Sequence, residues 1–383
     1  MGRQGDARGS GKTILHTHGC ISGDSRHEAI SHAAVAERLA GLLELRFAGD
    51  CGARKLGRNC YVVPQHTLSG AESAKRLNIK SEHDLLGAWL PEAFMAGKAI
   101  MHPLIPKFST APASWRQALP ALAINLVLPG FTAFCRQDAS AAAHTLLGSG
   151  PVRLKRVNAR GGHGQTVVSS PAEIEPAIDS LDTDISLDDP LVVETNLREV
   201  TTYGVGQIRL PRQSASYWGT QFRTTNNQGK QAYGGTELFV VPGGYDDLLA
   251  HVQSPMLRDA IACAMHFDGL ADRYLPEMIA SRRNYDVACG IDPNGTMRIG
   301  VLEQSWRVGG ATAAEILALE ALANDPTLAA VRARTVEIYG GKDMPPEDAL
   351  VGFDGEDEME GPLLKFARVE ARIACEEAEH SSQ

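Results

Sequence analysis

Asp286 and Glu303 flank the strongest short-range hairpin signal in the chain, Asn294-Gly295. A two-residue turn there pairs Pro293 with Thr296 and Asp292 with Met297. Continued outward, that register sets Asp286 opposite Glu303, with Cβ atoms about 4.5–5.5 Å apart. Two carboxylates so placed repel each other. A divalent, oxygen-seeking cation relieves the repulsion, and Mg²⁺ commonly takes one or two carboxylates and fills its shell with phosphate oxygens and water. A bulge between the turn and the pair would shift the register and break it.

Strand periodicity extends the pattern. Glu303, Ser305 and Arg307 project from one face, whereas Leu302, Gln304 and Trp306 project from the other. The first face offers a carboxylate and a hydroxyl for metal, with a guanidinium for phosphate. Val308-Gly309-Gly310 then frees the backbone before a helix beginning near Thr312, whose N-terminus is a further anion site. The plainer alternative is a surface hairpin with scattered charges.

A second cluster suits phosphate. Val152-Arg153-Leu154-Lys155 alternates apolar and basic residues, so in a strand Arg153 and Lys155 share a face. The chain then enters Arg160-Gly161-Gly162-His163-Gly164. Gly161, Gly162 and Gly164 let backbone N–H groups approach an anion, and Lys155 adds a point charge to the same oxygens. A glycine hairpin with solvated basic residues is the alternative. The tempting Arg8-Gly9-Ser10-Gly11-Lys12-Thr13 is not a P-loop: the position of the first glycine is Asp6, and no strand precedes it.

These groups need a scaffold. Thr13–Thr17 and Asn59–Val63 read as strands, with helices over Arg26–Leu45 and Leu68–Leu77, so the front of the chain reads as an α/β unit with a parallel sheet. Helices are expected over Ala139–Leu147 and Pro171–Leu181, with strands over Pro151–Lys155, Thr166–Ser169 and Leu191–Glu194. Further strands fall between Tyr203 and Val241, followed by a helix over 255–268. The hairpin is expected over Tyr285–Ser305, and helices over Thr312–Leu322 and Thr327–Ile338. The stretch beyond Met344 is acidic and reads as a tail.

With 383 residues and a net charge of −9, the chain can bury a large core and lacks the basic surplus that nucleic acid requires. Its seven cysteines form no CxxC pair, which fits thiols in a reducing compartment. No run of eighteen apolar residues would span a membrane, and Met1–Thr13 has no apolar core of a secretory signal. A cytoplasmic protein is expected.

The order of elements resembles the ATP-grasp superfamily, which includes biotin carboxylase and D-alanine–D-alanine ligase. The phrases RLKRVNARGGHGQTVV, REVTTYGVGQ, SRRNYDV and VLEQSWRVGGATAAEI are similar to a bacterial branch of it known as a domain of unknown function. The resemblance covers about Thr13 to Tyr339. It implies an α/β (α+β) ATP-grasp fold: a flexible arm over 1–12, a Rossmann-like pre-ATP-grasp domain over 13–110, an ATP-grasp domain of two α+β subdomains over 111–343, and an acidic tail over 344–383. It also implies ATP and Mg²⁺ as ligands. Lys98 and Lys155 match the two phosphate lysines. Glu194, ending the hinge strand, faces the adenosine, and Glu199 is similar to the acid on the ribose. Asp286 and Glu303 match the magnesium carboxylates. Ser305 stands where the family commonly has Asn.

The activity so implied is an ATP-dependent ligase that activates a carboxylate as an acyl phosphate for attack by an amine or thiol. Lys155 and Arg307 would stabilise the transferred group, and Arg282 and Arg283 would meet an anionic acceptor. Its partners would be a small-molecule carboxylate and an amine or other acceptor, with neither nucleic acid nor membrane, and a homodimer is left open. The alternatives are biotin carboxylase-like chemistry on bicarbonate and an ATP-binding regulatory module without turnover.

Overall fold

A computed structural model describes residues 11–19, 26–106, 109–158, 164–181, 185–341 and 343–375. Strand β1 (Ile14–His18) lies between β2 (Arg46–Asp50) and β3 (Cys60–Pro64), parallel to both. The helix Arg26–Leu42 makes the crossover and buries Val35, Ala36, Leu39 and Ala40. The expected α/β front unit is therefore present, with β2 added. The helix expected over Leu68–Leu77 starts only at Ala71. Leu68–Ser69 instead forms β4, which pairs with β5 (Ala88–Leu90) before Gly70 turns the chain at φ +79°. Residues 1–10 of the expected arm lie outside the described residues. Lys12 is not a solvated arm residue: its side chain is buried in an ion pair with Asp84.

Next come β6 (Gly130–Ala133), β7 (Val152–Arg156), β8 (Gln165–Val168) and β9 (Leu191–Thr195). They form an antiparallel sheet ordered β6-β9-β7-β8. The helices Arg136–Leu147 and Ile174–Ser180 cover it, and Ala139, Ala142, Ile174 and Ile178 fill the core with Val152, Leu154 and Val193. The chain enters β6 directly after Leu128-Pro129. Gly130 is required there, since a Cβ would sit 2.8 Å from both His102 Nδ1 and the Val193 carbonyl oxygen.

The third layer is an antiparallel sheet of eight strands. In chain order they are β10 (Arg198–Leu210), β11 (Gln213–Thr225) and β12 (Gln231–Pro242), then, after the short β13 (Ile279–Ala280) that pairs with β5, β14 (Arg282–Ile291), β15 (Met297–Gln304), β16 (Leu328–Tyr339), β17 (Leu350–Asp357) and β18 (Gly361–Ala374). Their spatial order is β15-β14-β10-β11-β12-β16-β18-β17. The helix Pro255–Tyr274 packs its stripe of Leu257, Ile261, Ala264, Phe267 and Ala271 into a core shared with Tyr285, Val287 and Val301.

Two expectations fail in this sheet. Thr327–Ile338 is strand β16, not a helix. Its Leu, Ala and Arg residues favour helix, but β12 and β18 pair with it on both sides, and Val331, Ala333 and Thr335 alternate inward between Arg332 and Arg334. The stretch from 344 is not a tail up to Ala374. Phe353, Leu363, Leu364 and Ala367 are buried, while Asp354 and Glu356 are exposed on an edge hairpin. The acidic composition belongs to the outer face of a sheet edge, where charge guards against stray pairing. No helix among the described residues is long and apolar enough to cross a membrane.

Candidate functional site

The carboxylate hairpin forms with Asp286 opposite Glu303, by a route different from the expected one. At the turn the register is offset by one: Ile291, not Asp292, pairs with Met297. Asp292 instead closes the loop, accepting from the backbone N–H groups of Asn294 and Thr296 (both 2.9 Å) and from Arg298 Nε (2.8 Å). A bulge at Leu302 then shifts the strand back by one, because Val287 pairs with Val301 and Asp286 with Glu303. The bulge restores the pairing it was expected to break.

Glu303 Oε2 lies 2.7 Å from Lys98 Nζ. Asp286 accepts from Asn284 Nδ2 at 3.3 Å. Burial and the charge of Glu303 push the Asp286 carboxyl up to about 7, against opposing pulls from Asn284, Lys98 and Arg282. The pair is thus short of positive charge. Among the described residues no group of three His, Cys, Asp or Glu side chains is placed to hold a metal. Two carboxylates alone fit Mg²⁺ that takes its other ligands from phosphate and water.

Lys98 begins a short 3₁₀ turn, Lys98–Met101, and is buried rather than exposed. Its ammonium also donates to the Arg156 carbonyl oxygen at 3.5 Å, so it spans from β15 to the end of β7. Next to Arg156, Lys155 forms a buried ion pair with Glu194 of β9. His102 Nε2 stands 3.4 Å from the second oxygen of Glu194. Burial alone would raise the Glu194 carboxyl; Lys155 and His102 outweigh it and bring the group to about 2. His102 is wholly buried and was not among the residues singled out in the sequence.

The remaining residues divide. Gly164 has φ +60°, and its carbonyl accepts from the Arg156 backbone N–H at 2.9 Å, closing the loop after β7. Gly161 and Gly162 lie outside the described residues. Glu194, expected to face the adenosine, meets Lys155 in a buried ion pair. Glu199 is exposed at φ +52° where the β10–β14 ladder is irregular. Ser305 is partly buried, and its backbone N–H donates to the Asn284 carbonyl oxygen at 2.7 Å. Arg307 Nη1 donates to the Val308 carbonyl oxygen at 2.8 Å.

Arg282 and Arg283, expected to meet an anionic acceptor, are buried in ion pairs within the chain. Arg282 is 2% exposed; it pairs with Glu315 Oε1 at 2.6 Å and holds the Ser305 carbonyl oxygen at 3.0 Å and that of Arg307. Arg283 pairs with Asp268 at 3.0 Å and Asp272 at 2.5 Å. The missing signal was Glu315, a carboxylate in the first turn of the helix Thr312–Asn324. It faces Arg282 and supplies negative charge at the helix end read as an anion site.

A sequence-family model described as "Protein of unknown function (DUF3182)" matches residues 15–367. The chain belongs to the DUF3182 family. A sequence comparison with curated proteins finds no match. Solved structures are similar to this DUF3182 protein in fold. N5-carboxyaminoimidazole synthase from Aspergillus clavatus, in complex with ADP and 5-aminoimidazole ribonucleotide, is 11% identical with a TM-score of 0.51 and 97% of each chain covered. Phosphoribosylamine–glycine ligase from Thermotoga maritima is 13% identical with a TM-score of 0.50, covering 97% of this chain and 95% of that one. N5-carboxyaminoimidazole synthetase from Staphylococcus aureus, complexed with ADP, is 11% identical with a TM-score of 0.50 and 93% of each chain covered. These are ATP-grasp enzymes, and the DUF3182 chain has their fold.

Proposed function

We propose that this DUF3182 protein is an ATP-dependent ligase that binds MgATP between the four-stranded and eight-stranded sheets and activates a carboxylate as an acyl phosphate. The observation that carries this reading is Lys98, which joins Glu303 of one sheet to the Arg156 carbonyl of the other beside Lys155. Two buried ammonium groups and a carboxylate pair at a sheet junction suit a polyphosphate and its cation. That similar structures hold ADP supports nucleotide binding by this fold.

In this reading Lys98 and Lys155 each exchange a carboxylate partner for phosphate oxygens, and His102 keeps a contact to Glu194 when Lys155 leaves. Asp286 and Glu303, with Ser305 beside them, would hold Mg²⁺, which would supply charge neutralisation for the polyphosphate. A substrate carboxylate oxygen attacks the γ-phosphorus, the β–γ bridge breaks and ADP leaves. An amine or similar nucleophile then attacks the acyl carbon, loses a proton and releases phosphate. Lys155 and Arg307 stabilise the transferred phosphoryl group. No side-chain nucleophile is needed.

The test is calorimetry with a non-hydrolysable ATP analogue and Mg²⁺, followed by ADP-release assays over mixtures of carboxylates and amines. Micromolar binding and carboxylate-dependent ADP release support the reading. Absence of nucleotide binding sinks it.

A further inference from the structure

Tyr217, Gly206 and Asn284 lie in one row across three adjacent strands: Gly206 of β10 pairs with Tyr217 of β11 on one side and Asn284 of β14 on the other. Gly206 has no side chain, and a Cβ there would collide with the Tyr217 hydroxyl. The gap lets Tyr217 Oη reach over β10 and donate to Asn284 Oδ1 at 3.1 Å. Tyr217 Oη itself accepts from Arg282 Nη2 at 3.4 Å, and Arg282 is anchored by Glu315. Asn284 Nδ2 donates to Asp286 Oδ1 at 3.3 Å.

The donors all run one way. Arg282 has only donors, so Tyr217 receives from it and passes its single O–H to Asn284. With its carbonyl occupied, the Asn284 amide can present only N–H groups to Asp286. A flipped amide would set its oxygen against the carboxylate and leave the phenol O–H facing an NH₂ group. Glu315, Arg282 and Tyr217 are all buried, and Glu315, the other acceptor near the phenol, has both oxygens engaged by Arg282 Nε and Nη2, which favours the direction toward Asn284.

We propose that Asn284 is a positioning residue for the Asp286–Glu303 face, and that Tyr217, reaching through the Gly206 gap, sets its direction. Asn284 aims one Asp286 oxygen and, by occupying it, leaves the other to face Glu303 and a cation. This assignment rests on the reading of that face given under the proposed function. Asn284 is then no metal ligand itself; its oxygen points to Tyr217.

The experiment titrates MgCl₂ against the full chain with a non-hydrolysable ATP analogue, reading nucleotide affinity by calorimetry, for wild type, Asn284→Leu and Tyr217→Phe. Both variants should need roughly tenfold more Mg²⁺ for half-maximal effect, the size expected on losing one hydrogen bond to a charged group. Their affinity for the metal-free analogue should stay at the wild-type value. A merely structural role would lower Tm and leave the Mg²⁺ requirement alone, and that result overturns the inference. Should Asn284→Leu not fold, Tyr217→Phe, which removes one hydroxyl, decides by itself. A wild type that binds the analogue without regard to Mg²⁺ overturns the metal-face reading instead, and the inference with it.

Discussion

Lys155 and Glu194 are joined in a buried ion pair although the strand register sets neither opposite the other: Lys155 faces Val192, and Glu194 faces Arg153. The two side chains meet on the diagonal, within reach of a long lysine. Glu194 thereby keeps its charge in the interior, and Lys155 is held at the sheet junction.

That pairing sets the outcome of replacing Lys155. Lys155→Ala should lose nucleotide binding and also destabilise the protein by roughly 3–5 kcal/mol, because Glu194 is left charged and buried. Lys155→Met with Glu194→Gln should recover most of the stability and still not bind nucleotide. Thermal melts and calorimetry on both variants separate the effects. Full nucleotide affinity in the double variant would remove Lys155 from the site.

Metal dependence tests the hairpin. A ligand that binds only the folded state raises its stability by mass action. MgATP should therefore raise Tm more than ATP in EDTA, and Glu303→Gln should abolish most of the difference while keeping the strand pairing. If Glu303→Gln shows the whole wild-type shift, the carboxylate pair is structural.

The Asp286 carboxyl gives a pH dependence. Its folded value of about 7 lies above the ordinary value near 4, so the fold favours the protonated form. In the absence of metal, stability is lost as pH rises through this window, the reverse of a salt-bridged acid. Asp286→Asn cannot ionise and should be more stable than wild type at pH 8. The gain is on the order of 1–2 kcal/mol after allowance for solvent screening, a few degrees in Tm, and it vanishes near pH 4. Denaturation curves at the two pH values measure it, and equal differences at both would show that Asp286 is not the titrating group.

The N-terminal segment gives a fourth test. Truncation to a start at Thr13 should preserve nucleotide affinity, since the sequence of the segment lacks the first glycine of a phosphate loop. It should lower Tm, because Asp84 loses the Lys12 ammonium that, against the opposing effect of burial, helps hold its carboxyl down. Unchanged stability would mean the ion pair contributes nothing.

Much of the fold was legible because the strongest signals were local. Apolar runs such as Leu191–Val193 mark buried strands, and Asn294-Gly295 marks a turn whatever surrounds it. The Asp286–Glu303 pairing was reached through two offsets that cancel: a longer loop closed by Asp292, and the bulge at Leu302. Neither is written in the apolar pattern, since both depend on how the loop satisfies its backbone groups. Strand β16 was illegible for a different reason: its helix-favouring residues are overruled by neighbours β12 and β18. The partners of Arg282, Arg283 and Glu194 were beyond reach because Glu315, Asp268 and His102 come from other elements, and only the packed chain brings them together.

The backbone N–H of His27, which opens the first helix, donates to Asp357 Oδ2 at the end of β17, 330 positions later. The ring of His27 also meets Phe353 edge-on at 6.0 Å. The helix Arg26–Leu42 buries its apolar stripe in one core with Leu328, Val331 and Ala333 of β16. During synthesis at about 5–20 residues per second, the β16 share of that core leaves the ribosome roughly 15 s to a minute after the helix. The first unit made is thus among the last completed, and in an incomplete chain that helix is covered only on the side of Leu15, Tyr61 and Val63.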